Sequence, residues 1–128
     1  MSGLFGIVSS GNCTETLFYG TDYHSHMGTE RAGMVVMGDK IYRSIRDIRL
    51  SQFKSKFATE YKSMRGKMGI GVISDLDPQP ILISTHFGDF AIATMGRIPN
   101  ALKLVADLHR QGVAFSEISE EGDRKSVV

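Results

Sequence analysis

The stretch Met1-Ser2-Gly3-Leu4-Phe5-Gly6-Ile7-Val8 decides how this chain folds, because its apolar run predicts a buried, central β-strand. Ser2 stands at the first end of that strand. If Met1 is removed, Ser2 carries both a hydroxyl group and a free α-amine. The pKa of such an amine is roughly 7.7–8.0, so the amine can act as general base for the adjacent hydroxyl. The opening therefore predicts a strand that presents Ser2 as a candidate nucleophile.

The rest of the chain alternates between helix and strand patterns. We predict a helix over 14–26, with Thr14 as N-cap and Gly28 as C-cap, and a mostly exposed helix over 51–65. Asn100 caps a third, amphipathic helix that Gly112 ends. Apolar runs predict further strands over 32–37, 40–43, 68–73, 80–84, 90–94 and 115–118. This order predicts a layered α+β domain with largely antiparallel sheets.

Composition excludes several classes of protein. The 128 residues are enough for one hydrophobic core and too few for two domains. The net charge of +1 gives no reason to expect nucleic acid or an anionic membrane as a partner. Cys13 is the single cysteine, so an internal disulfide cannot form, and no apolar run approaches the ~20 residues of a membrane span. We therefore expect a cytoplasmic protein that binds neither nucleic acid nor membranes.

Three segments of the chain, taken in order, resemble the glutaminase half of the amidophosphoribosyltransferase family. The opening Ser2-Gly3-Leu4-Phe5-Gly6-Ile7 is similar to the family's Cys-Gly-Ile-x-Gly-Ile. The second segment, His26-Met27-Gly28-Thr29-Glu30-Arg31-Ala32-Gly33, is similar to His-Arg-Gly-Gln-Glu-x-Ala-Gly. The third is a pair, Met68-Gly69-Ile70-Gly71 and Thr94-Met95-Gly96-Arg97-Ile98-Pro99-Asn100-Ala101, where the family has Gly-Ile-Gly-His-x-Arg-Tyr and His-Asn-Gly-Asn-x-x-Asn-Ala. Gln79-Pro80 resembles this branch more than the sugar-phosphate transaminase branch.

The resemblance covers nearly all of residues 2–122 and implies the αββα sandwich of the N-terminal nucleophile hydrolases. It implies a partial glutamine amidotransferase domain, roughly its first half. Residues 123–128, Asp-Arg-Lys-Ser-Val-Val, follow a different pattern. They match the translation of a common sequencing adaptor, so we predict that this tail is an artefact; a natural short polar tail is the alternative.

The departures from the family pattern fall on the positions that carry its chemistry. Ser2 replaces the nucleophilic cysteine, and a hydroxyl offers essentially no anion at neutral pH, whereas a thiol of pKa near 8.5 does. Met95 replaces an amide that donates to the oxyanion, which leaves the backbone N–H of Gly96 as the candidate donor; losing one donor typically costs about 10²–10³ in rate. The family's arginine that binds the substrate carboxylate is Ser74 here. Met27 replaces another arginine.

We therefore predict a glutamine amidotransferase-like domain that lacks glutaminase activity. The alternative is an active N-terminal serine amidohydrolase or amidotransferase, in which Ser2 attacks an amide and Gly96 helps to hold the oxyanion. A further interpretation of Ser2 is a small residue that only permits removal of Met1. Whether the chain is an enzyme stays open at this point.

The same resemblance implies the partners of the chain and no cofactor. The expected partner is a phosphoribosyltransferase domain in a longer parent protein, and a homo-oligomer stays open. No metal site is predicted, because His24 and His26 are two residues apart on a helix and no cysteine or carboxylate completes a ligand set. Cys13 is interpreted as a structural or an exposed free thiol.

Overall fold

The computed structural model describes residues 2–25, 30–49, 53, 57–74, 78–96, 98–113, 115–118 and 125–127. The chain divides into two units, Met1–Ala93 and Thr94–Val128. The first contains, in chain order, β1 (Gly3–Val8), α1 (Thr14–Tyr23), β2 (Arg31–Met37), β3 (Ile41–Asp47), a 3-10 turn (Tyr61–Ser63), β4 (Met68–Ser74), β5 (Ile81–Thr85) and β6 (Gly88–Ile92). The second contains α2 (Ala101–Arg110), β7 (Phe115–Ile118) and β8 (Lys125–Val127).

A four-stranded antiparallel sheet in the order β1-β4-β2-β3 forms the centre of the first unit. The strands β5 and β6 form an antiparallel hairpin, and β7 pairs antiparallel with β8 in the second unit. The predicted α+β class with antiparallel sheets is confirmed. Within the described ranges the prediction of a central position for the first strand is wrong, because β1 pairs there only with β4 and stands at the end of the strand order.

The core lies between α1 and one face of this sheet. Leu17, Phe18 and Thr21 of the helix are buried against Met34 and Ile73 of the strands. Burying a side chain such as Leu17 contributes about 1.5–3 kcal/mol. The amphipathic spacing of these residues therefore fixes which side of α1 faces the sheet.

The first helix differs from its prediction at both ends. The helix begins at Thr14, but Cys13 occupies the N-cap position, and the helix ends at Tyr23. The Thr14 hydroxyl is turned to other acceptors and donates to Asn12 Oδ1 at 2.8 Å. The predicted C-cap, Gly28, lies outside the described residues.

The segment over 51–65 is not mostly exposed where the structure describes it. Phe53 and Phe57 are fully buried and stack on each other with their ring centroids 4.5 Å apart. Phe18 of α1 stacks on Tyr61 at 4.1 Å and on Phe53 at 5.4 Å. The aromatic side chains therefore tie this segment to the helix, since each buried ring removes a large apolar area from water.

The second unit confirms the amphipathic helix that follows Asn100. Asn100 is the N-cap of α2, although its side chain makes no capping hydrogen bond, and Ala101 and Val105 are the buried residues of the helix. Gly112 has a φ of +85°, a backbone conformation that favours glycine and agrees with the predicted stop. Both α1 and α2 have ten residues, and among the described residues no helix has the length and hydrophobicity of a membrane span.

Candidate active site at the end of the four-stranded sheet

Four residues form one cross-strand row at an end of the sheet. Ser74 of β4 pairs with Arg31 of β2, and Arg31 pairs in turn with Asp47 of β3. The register of β1 on β4, continued by one residue, places Ser2 beside Ser74. We call Ser2, Ser74, Arg31 and Asp47 the polar row. Neighbouring strands lie about 4.8 Å apart, so these residues form a continuous strip across the sheet.

The polar row faces away from α1. A Cβ atom on Gly71 would lie 1.7 Å from Thr21 Oγ1, which marks the helix side of β4. A Cβ atom on Gly33 would lie 1.8 Å from the carbonyl oxygen of Gln79, which marks the other side of the sheet. Since alternate residues of a strand point to the same face, Arg31 shares the face of Gly33, and its cross-strand neighbours share that face with it.

The candidate nucleophile, Ser2, is half-buried directly before β1. His24 lies nearby but over the other face, because a Cβ atom on Gly3 would lie 2.9 Å from His24 Cβ and Gly3 points towards α1. The α-amine of Ser2, freed by removal of Met1, therefore stays the candidate base. Ser2 and its amine are close enough for this role by covalent structure alone.

The register brings Ser74 next to Ser2. Ser74 is buried, with 2% of its surface exposed. Its neutral hydroxyl offers a substrate carboxylate no positive charge. Met27, the other sequence departure near these positions, lies outside the described residues, as does Asp75, which follows Ser74 in the chain.

The two candidate oxyanion residues belong to the second unit. Met95 is half-exposed, at 48%, and its thioether side chain has no hydrogen-bond donor. Gly96 adopts a φ of +117°, which a side chain would strain, and nothing lies within 4 Å of its Cβ position. The backbone at Gly96 is therefore open on the side that a side chain would occupy.

Asp47, at the far end of the polar row, is held by Arg49. The Arg49 guanidinium donates to Asp47 Oδ2 from Nη2 at 2.5 Å and from Nε at 2.9 Å, and the Arg49 backbone N–H donates to Oδ1 at 2.8 Å. These hydrogen bonds lower the pKa of Asp47 from 3.8 to about 2, and the charge of Arg31 makes a smaller contribution in the same direction. The carboxylate of Asp47 is therefore ionised at neutral pH.

Cys13 lies in the core and takes no part in the polar row. Its thiol is 1% exposed, and burial raises its pKa. Of the two interpretations of this residue, the structural thiol is confirmed and the exposed thiol is wrong. A buried thiol of raised pKa is a poor nucleophile.

A cavity of about 470 Å³ lies on the same face of the sheet as the polar row, towards the other end of the strands. Val35, Ile70 and Met68 of the sheet line it, together with Phe90 and Ala91 of β6. Its lining side chains are apolar, so it offers space and no acid, base or nucleophile. The hydroxyl, guanidinium and carboxylate groups of the polar row lie on this face two cross-strand rows away from Gly6 and Ile70.

Arg31 and Asp47 are the members of the row that the sequence pattern did not indicate, and Arg31 is the one next to Ser74. It was part of the second family-like segment, but nothing in that segment indicated which residue lies across from it. The sequence contains only an indirect signal for this pairing. An apolar run follows Arg31 and another precedes Ser74, and these two runs form the paired strands β2 and β4. Among the residues that the structure describes, no three His, Cys, Asp or Glu side chains come together as a metal site.

Comparison with known proteins gives relatives of one kind. No model of a known protein family matches the chain. The amidophosphoribosyltransferase of Methanocaldococcus jannaschii is 28% identical over 130 residues, which cover 94% of this chain and 27% of that protein. The chain thus spans about a quarter of the length of the relative that it matches.

Two solved structures share the fold. One, described as the structure of the allosteric regulatory enzyme of purine biosynthesis, has a TM-score of 0.77 and 25% identity over 91% of this chain and 26% of its own. The other is the glutamine phosphoribosylpyrophosphate amidotransferase from B. subtilis complexed with ADP and GMP. Its TM-score is 0.76 and its identity 26%, and the match covers 94% of this chain and 27% of that chain. These matches confirm the predicted fold, part of an αββα sandwich. By sequence and by fold, the chain is similar to about a quarter of the amidophosphoribosyltransferase of Methanocaldococcus jannaschii and of the two solved enzymes.

Proposed function

We propose that this chain is a glutamine amidotransferase-like domain that does not hydrolyse glutamine. The position of Ser2 beside Ser74, taken from the register of β1 on β4 continued by one residue, carries the proposal. A hydroxyl stands at the nucleophile position, where a thiol would supply some thiolate at neutral pH. A second neutral hydroxyl stands beside it, where the resemblance expects an arginine.

Met95 supports the proposal independently. Its side chain cannot donate a hydrogen bond to a developing oxyanion, and one missing donor typically costs about 10²–10³ in rate. By the resemblance, the nucleophile and the oxyanion donor act on different atoms of one transition state, so the two losses add. We expect their combination to remove glutaminase activity.

The test is ammonium release from L-glutamine by the chain and by three variants, Ser2→Cys, Met95→Asn and the double variant. Mass spectrometry first establishes for each protein that Met1 has been removed. We expect no ammonium from the chain or from either single variant, and measurable release from the double variant. Ser9→Cys is the matched control, because it places a thiol just beyond the other end of β1. Ammonium release by the unaltered chain would contradict the proposal, and release by Ser2→Cys alone would show that Met95 is not limiting.

The alternative, an active N-terminal serine amidohydrolase, predicts a reactive Ser2 hydroxyl. An amine-activated hydroxyl reacts with a sulfonyl fluoride or an activated ester, whereas an ordinary serine does not. We expect no adduct at Ser2 by peptide mapping. An adduct at Ser2 that disappears when Met1 is retained would support the alternative and overturn the proposal.

The context of the domain belongs to the same proposal. We propose a phosphoribosyltransferase domain in a longer parent protein, supported by the relatives that are about four times as long as the matched part. The genomic reading frame tests this directly, and the codons of residues 123–128 test whether the tail derives from an adaptor. A cytoplasmic location is proposed because the single cysteine is free, and fractionation of the source cells tests it.

A further inference from the structure

Arg31 occupies the place on β2 directly across from Ser74. The strand register joins Arg31 to Ser74 on one side and to Asp47 on the other. Ser74 stands between Arg31 and Ser2 in the polar row. A guanidinium on β2 and the hydroxyl and amine of Ser2 on β1 therefore flank the buried Ser74 on one face of the sheet.

The guanidinium of Arg31 is not committed to the carboxylate beside it. Arg49 holds Asp47 through its side chain and its backbone N–H. Arg31 acts on Asp47 only through its charge, as the smallest of the contributions that lower the pKa of that carboxyl. Within the described ranges, no hydrogen bond or ion pair of the Arg31 side chain is found. Its five N–H donors are thus open to a ligand.

The spacing of the row suits a ligand the size of an amino acid. Ser2 and Arg31 lie two strands apart, which is about 10 Å between their backbones. In glutamine or glutamate, four carbon–carbon bonds separate the α-carboxylate carbon from the side-chain carbonyl carbon, a span of about 5 Å. A ligand of that length therefore spans part of the distance from Ser2 towards β2, and the side chain of Arg31 can reach its carboxylate.

We propose that Arg31 is the carboxylate anchor of this site and binds an amino-acid ligand from β2, because β4 carries the neutral Ser74 at the neighbouring position. Arginine holds a carboxylate through two parallel hydrogen bonds, which fixes the orientation of the ligand as well as its charge. The inference rests on the proposed function only in taking this end of the sheet as the ligand site. It describes a domain that binds the ligand without hydrolysing it.

The test is calorimetric titration of the whole chain with L-glutamate and, separately, with L-glutaminol, which lacks the α-carboxylate. We expect Arg31→Gln to weaken L-glutamate binding at least about tenfold, since charge-assisted hydrogen bonds are lost. Arg31→Lys keeps the charge but not the paired hydrogen bonds, so we expect its affinity for L-glutamate to lie between that of the unaltered chain and that of Arg31→Gln. Binding of L-glutaminol does not change with either substitution.

Arg65→Gln is the matched control, because it removes the same charge from an exposed residue near the other end of the sheet. It leaves L-glutamate binding unchanged. Equal affinity of the chain and of Arg31→Gln for L-glutamate, or no binding by the unaltered chain, overturns the inference. Ammonium release from L-glutamine would contradict the proposed function but not the role of Arg31. In that case the KM values of the chain and of Arg31→Gln for L-glutamine are compared instead of their affinities for L-glutamate, and a similar KM for both overturns the inference.

Discussion

The two faces of the four-stranded sheet are built in opposite ways. On the α1 face the helix approaches so closely that Gly71 leaves no room for a Cβ atom beside Thr21. On the other face a cavity of about 470 Å³ lies above Val35 and Ile70, and the polar row occupies the end of the strands. The α1 face is therefore closely packed against the helix, whereas the other face combines a close approach of Gln79 to Gly33 with a cavity and the polar row.

Within this one sheet, the α1 face contributes to stability and the other face carries the groups that can bind a ligand. Apolar side chains that interlock with a helix stabilise the fold, but they exclude a ligand from the same surface. Ser2, Ser74 and Arg31 lie on the face where the strands are not sealed by the helix. Substitutions on the α1 face are thus expected to change the free energy of unfolding, and substitutions on the polar row to change binding.

The largest expected effect on the free energy of unfolding comes from a substitution on the packed face. Leu17 of α1 is fully buried, so Leu17→Ala removes apolar contacts and leaves a cavity, at a cost of about 3 kcal/mol in the free energy of unfolding. Val8→Ala is the matched truncation on the opposite face, where Val8 is 85% exposed, and we expect a change within about 0.5 kcal/mol. Urea unfolding followed by circular dichroism measures both. Similar losses in the two variants would contradict the contrast between the faces.

A smaller effect on the free energy of unfolding is expected when a glycine on each face of the sheet is replaced by alanine. Gly71→Ala forces Thr21 and α1 away from the sheet, and we expect a loss of about 2 kcal/mol. Gly6→Ala makes the same change on the neighbouring strand and the opposite face, where the nearest atom to the Cβ position, the carbonyl oxygen of Gly69, is 4.0 Å away. The reduced flexibility of the unfolded chain should stabilise that variant by about 0.5 kcal/mol. A larger loss for Gly6→Ala than for Gly71→Ala in urea unfolding would show that the helix is not tightly seated.

The smallest effect concerns the charges of the polar row. The folded pKa of Asp47, about 2, lies below its ordinary value of 3.8, so the stabilisation by Arg49 is present above about pH 4 and is lost as the pH falls towards 2. Arg49→Gln should raise the pKa of Asp47 towards the ordinary value, and Arg31→Gln should raise it less. A pH titration of the Asp47 carboxyl carbon by NMR measures both shifts, with Arg65→Gln as control. A larger shift in Arg31→Gln would mean that Arg31, and not Arg49, holds this carboxylate.

The elements that the sequence predicted are those whose local pattern is strong. β4 and α2 follow apolar runs or an amphipathic repeat, and their bounds agree with the prediction to within one or two residues. The strand β3 is longer than predicted, Ile41–Asp47 rather than 40–43, because Arg43, Ser44 and Arg46 break its apolar pattern. Pairing with β2 along its whole length, and not side-chain hydrophobicity, extends that strand.

The local sequence pattern does not predict the aromatic cluster or the polar row. Phe53 and Phe57 are buried because Phe18, about 35 residues earlier in the chain, packs with them and with the nearby Tyr61 in the same core. The exposure of a short segment depends on what packs against it, which its own residues do not specify.

By itself, the sequence determined the resemblance to amidophosphoribosyltransferases and the groups at the motif positions. The order of three short segments indicates an amidotransferase-like domain, and Ser2 and Met95 are a hydroxyl and a thioether in any fold. Only the tertiary structure decided that Arg31 stands across from Ser74, because the register of β2 on β4 joins residues far apart in the chain. A shift of one residue would turn Arg31 to the helix face, since side chains alternate along a strand. The residue types fix what the site can do chemically, and the register decides which of them meet.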